Sequence, residues 1–319
     1  MKKNNFFIIS ALLIICLFLG LASVSAASSD IYVSPNGNDT SNNGTVDSPY
    51  HSIGKAVNQS SNSSNVNIYL DEGTYRGKGN NTEIVINKAH ISQGGSISII
   101  GKGKDKTFID GDSSSFLFDI KADSIVYLYN LTIRNCKNTN GGAILNYGNL
   151  SITNCNFENN YATSSGGAIY SEYGANLNVV NSVFNNNYAA SYGGVIFGYI
   201  IKLNNCNFTN NIVDSNIIYS SDANSFVYNC YFINNTINST SSWIYSTLYM
   251  YGGSIVNNTF INCSAPNSDS TPILYIGGTI YLKNNTVINC FNKNNLSFIK
   301  SDWANFNSNL TFLGNSTVN

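Results

Sequence analysis

A motif repeated at short, regular intervals constrains the fold of this chain more than any other feature of its sequence. The segment GGAI at Gly141–Ile144 returns at Gly166–Ile169 and, as GGVI, at Gly193–Ile196. Between these segments, NCNFENN at 154–160 returns as NSVFNNN at 181–187 and as NCNFTNN at 205–211. Self-similarity of this kind is typical of a solenoid, in which each repeat is one structural unit that packs on its neighbours.

Successive repeats align on one large apolar residue, called the anchor here. The anchors lie 24 to 28 residues apart and are Ile133, Phe157, Phe184, Phe208, Phe232, Phe260 and Val287. An aliphatic residue lies five positions before each anchor: Leu128, Ile152, Val179, Leu203, Val227, Ile255 and Leu282. The apolar residues near the anchors alternate with polar ones, which indicates strands and not helices. Each repeat is long enough for three short strands and three turns, which is one turn of a parallel β-helix.

An asparagine also recurs three positions before every anchor. This column consists of Asn130, Asn154, Asn181, Asn205, Asn229, Asn257 and Asn284. Asparagine tolerates unusual backbone angles at turns, and its amide can bond nearby backbone groups. Stacked in register, each amide can also donate to the amide of the next turn. The column is therefore predicted to form a buried structural asparagine ladder.

Two further columns follow the Gly-Gly segments, which are expected to allow a tight bend. The first is apolar and predicted to face inward: Ile144, Ile169, Ile196, Ile218, Ile244, Leu274 and Ile299. The second comes one position later and is predicted to face outward as an aromatic stripe: Tyr170, Phe197, Tyr219, Tyr245 and Tyr275. This stripe is the candidate binding face, although tyrosine is also simply a favoured strand residue.

The alternation of GGAI with an Asn-x-x-Phe-x-Asn unit resembles the repeat of polymorphic outer-membrane proteins. It is still more similar to the adhesin-like surface proteins of methanogenic archaea, which belong to the pectate-lyase-like superfamily. The resemblance implies a single-stranded right-handed parallel β-helix, an all-β fold, and it covers about residues 28–319. The length after Val66 leaves room for about ten turns.

The N-terminal part of the chain predicts export and a cap. Residues 1–26 resemble a secretory signal peptide, with Lys2 and Lys3 before an apolar run and small residues at Val24–Ala26. Residues 27–79 are predicted to hold an N-terminal cap and the first strand, and residues 80–319 the β-helix repeats. Ser48 is the expected N-cap of a short helix that begins at Pro49 and covers the open end of the solenoid.

The composition of the chain limits the kinds of partner and the cellular location that can be expected. Charged residues make up only 10% of the chain and the net charge is −1, so nucleic acid is not an expected partner. The apolar content of 43% is high enough to fill a core. No segment after the signal peptide predicts a membrane span, and the expected location is secreted or at the cell surface.

The acidic residues give little sign of catalysis. Calcium-dependent lyases need clustered carboxylates and a proton acceptor, and hydrolases need paired acids. Glu158 shares a column with Arg134, which predicts a surface ion pair, and Asp110-Gly111-Asp112 predicts a turn at the end of a strand. His51 and His90 are isolated in the sequence. No catalytic, cofactor-binding or metal-binding residue is therefore predicted, and no cofactor is expected.

The cysteines of the mature chain occupy fixed columns in place of serine or asparagine. Cys155, Cys206 and Cys230 lie two positions before an anchor, and Cys136, Cys263 and Cys290 lie three positions after one. Stacking places Cys206 beside Cys230 and Cys263 beside Cys290, yet the expected separation slightly exceeds that of a disulfide. Free thiols are predicted, although an oxidising compartment favours bonds.

Taken together, these features and the resemblance predict a non-enzymatic, adhesin-like protein. Its expected partners are glycans or proteins of neighbouring cells. A β-helix polysaccharide lyase or hydrolase is the main alternative, and a passive structural component of the envelope is the other. A carboxylate cluster on adjacent turns would favour the enzyme, whereas an extended aromatic face without one favours binding.

Overall fold

A computed structural model describes residues 28–60, 65–87, 90, 94–240, 245–267, 273–294, 299–301 and 307–313. The predicted signal peptide at 1–26 and Ile244 of the inner column lie outside these residues. No helix of the described part of the chain is long and apolar enough to cross a membrane.

The chain forms short strands throughout its described length. The strands of the first half are β1 (Ser28–Val33), β2 (Asn65–Leu70), β3 (Gly73–Tyr75), β4 (Ile84–Ile86), β5 (Ser96–Gly101), β6 (Thr107–Asp110), β7 (Phe118–Ile120), β8 (Ile125–Tyr129), β9 (Thr132–Arg134), β10 (Lys137–Asn138), β11 (Ile144–Asn146), β12 (Asn149–Thr153), β13 (Asn156–Glu158), β14 (Tyr161–Ala162), β15 (Ile169–Val180), β16 (Val183–Asn185) and β17 (Tyr188–Ala189). Those of the second half are β18 (Ile196–Asn204), β19 (Asn207–Thr209), β20 (Ile212–Val213), β21 (Ile218–Ser220), β22 (Phe226–Tyr228), β23 (Tyr231–Ile233), β24 (Thr236–Ile237), β25 (Leu248–Met250), β26 (Gly253–Val256), β27 (Thr259–Ile261), β28 (Ser264–Ala265), β29 (Leu274–Ile276), β30 (Ile280–Ile288), β31 (Phe291–Asn292), β32 (Ile299–Ser301) and β33 (Asn307–Leu313).

These strands wind into a right-handed parallel β-helix with three main faces. The first face contains β2, β5, β8, β12, β22 and β26, joined by parallel pairings. The second face contains β3, β6, β9, β13, β16, β19, β23 and β27. The third face contains β4, β7, β11, β21, β25, β29 and β32, and the long strands β15, β18 and β30 each run across two faces. The coil has about eight turns, slightly fewer than the ten that the sequence suggests.

The predicted anchors form one buried column inside the second face. All seven are at most 2% exposed, and the register pairs each with the next. The phenylalanine rings stack in parallel, with 4.8 to 5.0 Å between successive ring centroids. The register expected from the sequence is therefore confirmed.

The asparagines three positions before the anchors turn the chain from the first face to the second. Together with those two positions after the anchors, they adopt left-handed backbone angles, with φ between 50° and 57°. Asparagine accepts this region more readily than most residues. Amide-to-amide bonds join Asn154 to Asn130 and Asn205 to Asn181, both at 2.7 Å. These side chains are half-buried or exposed, so the expected burial of this ladder is wrong, because the left-handed corner turns each amide outward.

A buried ladder of amides is formed instead by residues that directly follow these corners. Four of these residues lie three positions after an anchor: Asn160, Asn187, Asn211 and Asn235. The other two, Asn258 and Asn285, lie two positions before an anchor. All six are at most 1% exposed. Asn211 is representative: its Nδ2 donates to the Phe184 carbonyl at 3.1 Å, and its Oδ1 accepts the Asn187 backbone N–H at 2.8 Å. This buried amide ladder ties successive turns together inside the corners.

The cysteines fill the same two inward columns where asparagine is absent. All six are buried. The backbone N–H of Cys206 points to Sγ of Cys230 at 3.4 Å, and that of Cys263 to Sγ of Cys290 at 3.3 Å. The expected adjacency of the two pairs is confirmed. Burial raises the pKa of the Cys155 thiol to about 12.

A short helix, α1 (Ile53–Gln59), packs against β1 and β2 at the N-terminal end. Its apolar face, Ile53, Ala56 and Val57, is buried as the sequence predicts. The predicted cap is wrong by four residues, because Ser48 donates its N–H to Thr45 in a tight turn instead. Ser52 is the N-cap, and its side chain accepts the Lys55 N–H.

Candidate functional site

Five aromatic side chains stack on the outside of the third face. The register of β15, β18, β21, β25 and β29 aligns Tyr170, Phe197, Tyr219, Tyr249 and Tyr275. Successive ring centroids are 4.5 to 5.1 Å apart and the ring planes deviate by 3° to 10°. These five residues are called the aromatic stripe below.

One member of the stripe differs from the sequence prediction. Tyr249, not Tyr245, pairs with Tyr219, and Leu248 takes the inward position expected for Ile244. The repeat between Phe232 and Phe260 is 28 residues long, and its additional residues precede β25. Tyr245 is half-buried and packs against the core.

The stacking decides which atoms of the stripe can meet a ligand. The inner rings cover one another's faces, so they present edges and hydroxyl groups to solvent, and all five side chains are half-buried. The Tyr170 hydroxyl donates to Glu172 Oε2 at 3.1 Å. Burial, reinforced by Glu172, raises the pKa of Tyr170 to about 12, and burial raises that of Tyr219 to about 12. These hydroxyls therefore remain hydrogen-bond donors at neutral pH.

Tilted tyrosines flank the stripe. The Tyr192 ring meets Tyr219 at 52°, and the Tyr173 ring meets Tyr199 at 53°. Tyr173 is 76% exposed and Tyr192 46% exposed. Because a tilted ring is not covered by a parallel neighbour, both present aromatic surface to solvent. The stripe with Tyr173, Tyr192 and Tyr199 is called the aromatic face.

A second cluster, of charged side chains, lies on the outside of the second face. The Asp110 carboxylate is 2% exposed and accepts bonds from Arg76 at 3.1 Å and Arg134 at 2.9 Å. Asn135 Nδ2 and the Asp112 backbone N–H also donate to it. Burial alone would raise the pKa of Asp110, but the bonds from Asp112, Arg134 and Asn135 outweigh it and lower that pKa. Asp110 is thus held ionised with its lone pairs occupied.

This cluster modifies two expectations from the sequence. Asp112 does follow the strand in a turn, with φ 51°, but Asp110 is also the centre of an ion-pair network. Glu158 lies beside Arg134 in the register, yet Arg134 bonds Asp110 on the preceding turn and not Glu158. A signal for this network was present in the sequence but was missed. Asp110 and Arg134 end strands on successive turns, and Arg76 directly follows the strand of the turn before them.

Other carboxylates of the repeats accept bonds from tyrosine hydroxyls or amides. Asp214 accepts from Tyr188, and Asp222 accepts from Asn224 at 2.8 Å. Among the described residues, no three His, Cys, Asp or Glu side chains are grouped so that they could hold a metal ion.

Comparisons with known proteins identify the fold. No protein-family profile and no curated protein matches the sequence. Among solved structures, the chain is similar to the pectate lyase Pel9A, with a TM-score of 0.53 and 17% identity over 89% of this chain and 79% of that one. It is also similar to a rhamnogalacturonan lyase (TM-score 0.47, 16% identity, 82% and 74% covered) and to the PL6 family alginate lyase AlyGC (0.46, 13%, 92% and 40%). The chain thus has a pectate-lyase-like parallel β-helix fold.

Proposed function

We propose that this protein binds a polysaccharide along its aromatic face without cleaving it, as an adhesin-like protein secreted or held at a cell surface. The observation that carries the proposal is the continuous aromatic stripe with partly exposed tyrosines on its flanks. Its pitch follows the turns of the coil, so one kind of contact repeats along a rigid surface. A repeating surface suits a repeating ligand, because each added sugar unit meets a similar set of groups.

The chemistry of the face favours an uncharged or weakly charged glycan. The stripe itself contains no charged side chain, and its tyrosine hydroxyls stay protonated at neutral pH. Exposed rings such as Tyr173 offer apolar surface for the C–H groups of a sugar, and hydroxyl edges offer hydrogen bonds. Rigid aromatic side chains also lose little conformational entropy on binding.

The contacts of two carboxylates, Asp110 and Glu172, favour binding over catalysis. General acid–base catalysis needs a group within reach of the substrate that can give or take a proton. Asp110 is fully engaged by two guanidinium groups, an amide and a backbone N–H. Glu172 accepts the Tyr170 hydroxyl and the Tyr173 backbone N–H.

The test is affinity electrophoresis in gels that contain xylan, mannan, pectin or alginate. We expect Tyr173→Ala combined with Tyr192→Ala to weaken retardation by the bound polymer about tenfold in affinity, which corresponds to about 1.4 kcal/mol. Tyr231→Ala is the matched control, because Tyr231 is 46% exposed on the second face. Equal retardation of both variants and the parent protein would overturn the assignment of the aromatic face.

A polysaccharide lyase is the second candidate, favoured by the fold shared with Pel9A and by the paired arginines on the second face. Guanidinium groups bind carboxylates well, so Arg76 and Arg134 could hold a uronate. Unsaturated products and reducing ends are therefore measured with pectin and alginate, with and without calcium. Turnover that disappears in Arg134→Ala and persists in Tyr173→Ala would replace the binding proposal with the enzyme.

A further inference from the structure

A cleft separate from the aromatic face lies on the first face at the N-terminal end. Its walls include Tyr32, Tyr69 and Ile100, which the register places in one outward column on three adjacent strands. The two tyrosine rings stack with centroids 5.2 Å apart. The cleft has a volume of about 210 Å³. It is called the N-terminal cleft below.

A tight turn beside β1 forms a second wall of the cleft. Gly44 accepts the Tyr32 N–H at 2.8 Å, and Thr45 accepts the Ser48 N–H at 3.1 Å, so this turn is fixed to the edge of β1. Val46 projects from the turn, is 65% exposed and lines the cleft. Apart from the tyrosine hydroxyls, the two walls thus offer mainly apolar surface.

An ion pair lies at one end of the cleft. Lys102 Nζ is 2.5 Å from Asp71 Oδ1, and the Ser34 hydroxyl donates to Asp71 Oδ2 at 3.4 Å. The hydrogen bond from Lys102 lowers the pKa of Asp71, so the carboxylate stays ionised. Both side chains remain accessible, at 61% for Lys102 and 40% for Asp71. Solvent therefore meets a donor and an acceptor side by side.

We propose that the N-terminal cleft binds one neutral pyranose unit. Small-molecule sites are mostly apolar with a few placed polar groups, and the volume here lies below the range of about 300–1,000 Å³ usual for larger ligands. The apolar walls match the C–H groups of a sugar ring, while Asp71 accepts from and Lys102 donates to its hydroxyl groups. Because the pair carries no net charge, an acidic sugar gains no overall attraction. The cleft and the aromatic face share no residue, so the two sites can fail independently.

The probes are methyl β-glucopyranoside, methyl β-galactopyranoside and methyl β-glucuronide, examined by saturation-transfer NMR with the full mature protein. We expect saturation of ring C–H protons for at least one of the neutral glycosides, and a Kd for the glucuronide that is no lower. Tyr69→Ala and Asp71→Asn should each raise the Kd of the neutral glycoside about tenfold or more.

Two controls separate this proposal from loss of folding and from the aromatic face. Tyr281→Ala removes a tyrosine that is 45% exposed on a distant turn of the first face, and it should leave the Kd unchanged. Tyr173→Ala should weaken polymer binding yet leave the monosaccharide signal intact. The proposal is overturned if no neutral glycoside gives a signal, if the glucuronide binds more tightly, or if folded Tyr69→Ala and Asp71→Asn bind like the parent.

Discussion

Replacing Asn211 by leucine is expected to destabilise the coil through the buried amide ladder. The two side chains are similar in size, so the main change is the loss of hydrogen bonds. Asn211 is fully buried and bonds the Phe184 carbonyl at 3.1 Å, the Asn235 Oδ1 at 2.9 Å and the Asn187 N–H at 2.8 Å. In Asn211→Leu, the buried Asn187 N–H loses this acceptor.

The size of the expected loss in stability follows from the Asn187 N–H, which is left without its acceptor. A buried polar group without a partner costs about 1–3 kcal/mol. The Phe184 carbonyl also loses the hydrogen bond from Asn211 Nδ2, which adds to this cost. We therefore expect the free energy of unfolding to fall by about 1–3 kcal/mol. Because each turn of a solenoid contacts only its neighbours, the loss should be concentrated near this turn.

Chemical denaturation measures the total, and amide hydrogen exchange of Asn187 measures the local effect. Asn205→Gly is the control, since Asn205 has an exposed amide and a φ of 55° that glycine adopts readily. It should change the free energy of unfolding by no more than about 0.5 kcal/mol. If Asn211→Leu is as stable as Asn205→Gly and the Asn187 amide exchanges no faster, the ladder does not stabilise the fold as described.

Three further predictions concern titration and the thiols. Burial and the bond to Asp214 raise the pKa of Tyr188 to about 12, so the contribution of Tyr188 to stability is present below the ordinary tyrosine pKa and is lost as pH rises through 12. Asp214→Asn should lower the pKa of Tyr188 in ultraviolet titration, and an unchanged pKa would refute the assignment. The bond from Lys102 lowers the pKa of Asp71, so the contribution of Asp71 to stability is present above the unfolded pKa of about 3.9 and is lost as pH falls through the lower folded pKa. Lys102→Met should raise the pKa of Asp71 in NMR titration, and an unchanged pKa would refute the ion pair between Lys102 and Asp71. Thiol titration of a denatured, unreduced protein of residues 27–319 should find six thiols, and the same protein in its native state at pH 8 should react slowly because its cysteines are buried. A result of two or four thiols would instead indicate disulfides.

Much of the fold could be predicted because the strand register can be read directly from the repeated sequence positions. The anchor column, the inward aliphatic column and the corner asparagines each recur with little variation, and stacking makes identical positions neighbours. Which asparagine is buried could not be read from the columns alone. Asn205 and Asn211 look alike in sequence, and the left-handed corner that turns only the first one outward is a property of the backbone.

The candidate site was predicted less completely, for two physical reasons. In the 28-residue repeat, the added residues can precede or follow the bend, and only the strand pairing distinguishes Tyr249 from Tyr245. The Arg76–Asp110–Arg134 network joins the irregular first turns, where spacing between columns is not constant. The N-terminal cleft depends on a turn whose packing on β1 has no periodic signal at all.

We propose above that the protein binds a polysaccharide and leaves it intact. In a binding assay, a protein of residues 27–319 is incubated with defined oligosaccharides of xylan, mannan, pectin and alginate, and mass spectrometry records the bound fraction and the chain length of each. We expect at least one oligosaccharide to be bound at full length, and we expect Tyr173→Ala combined with Tyr192→Ala to reduce the bound fraction. Shortened or unsaturated products that disappear in Arg134→Ala would contradict this proposal.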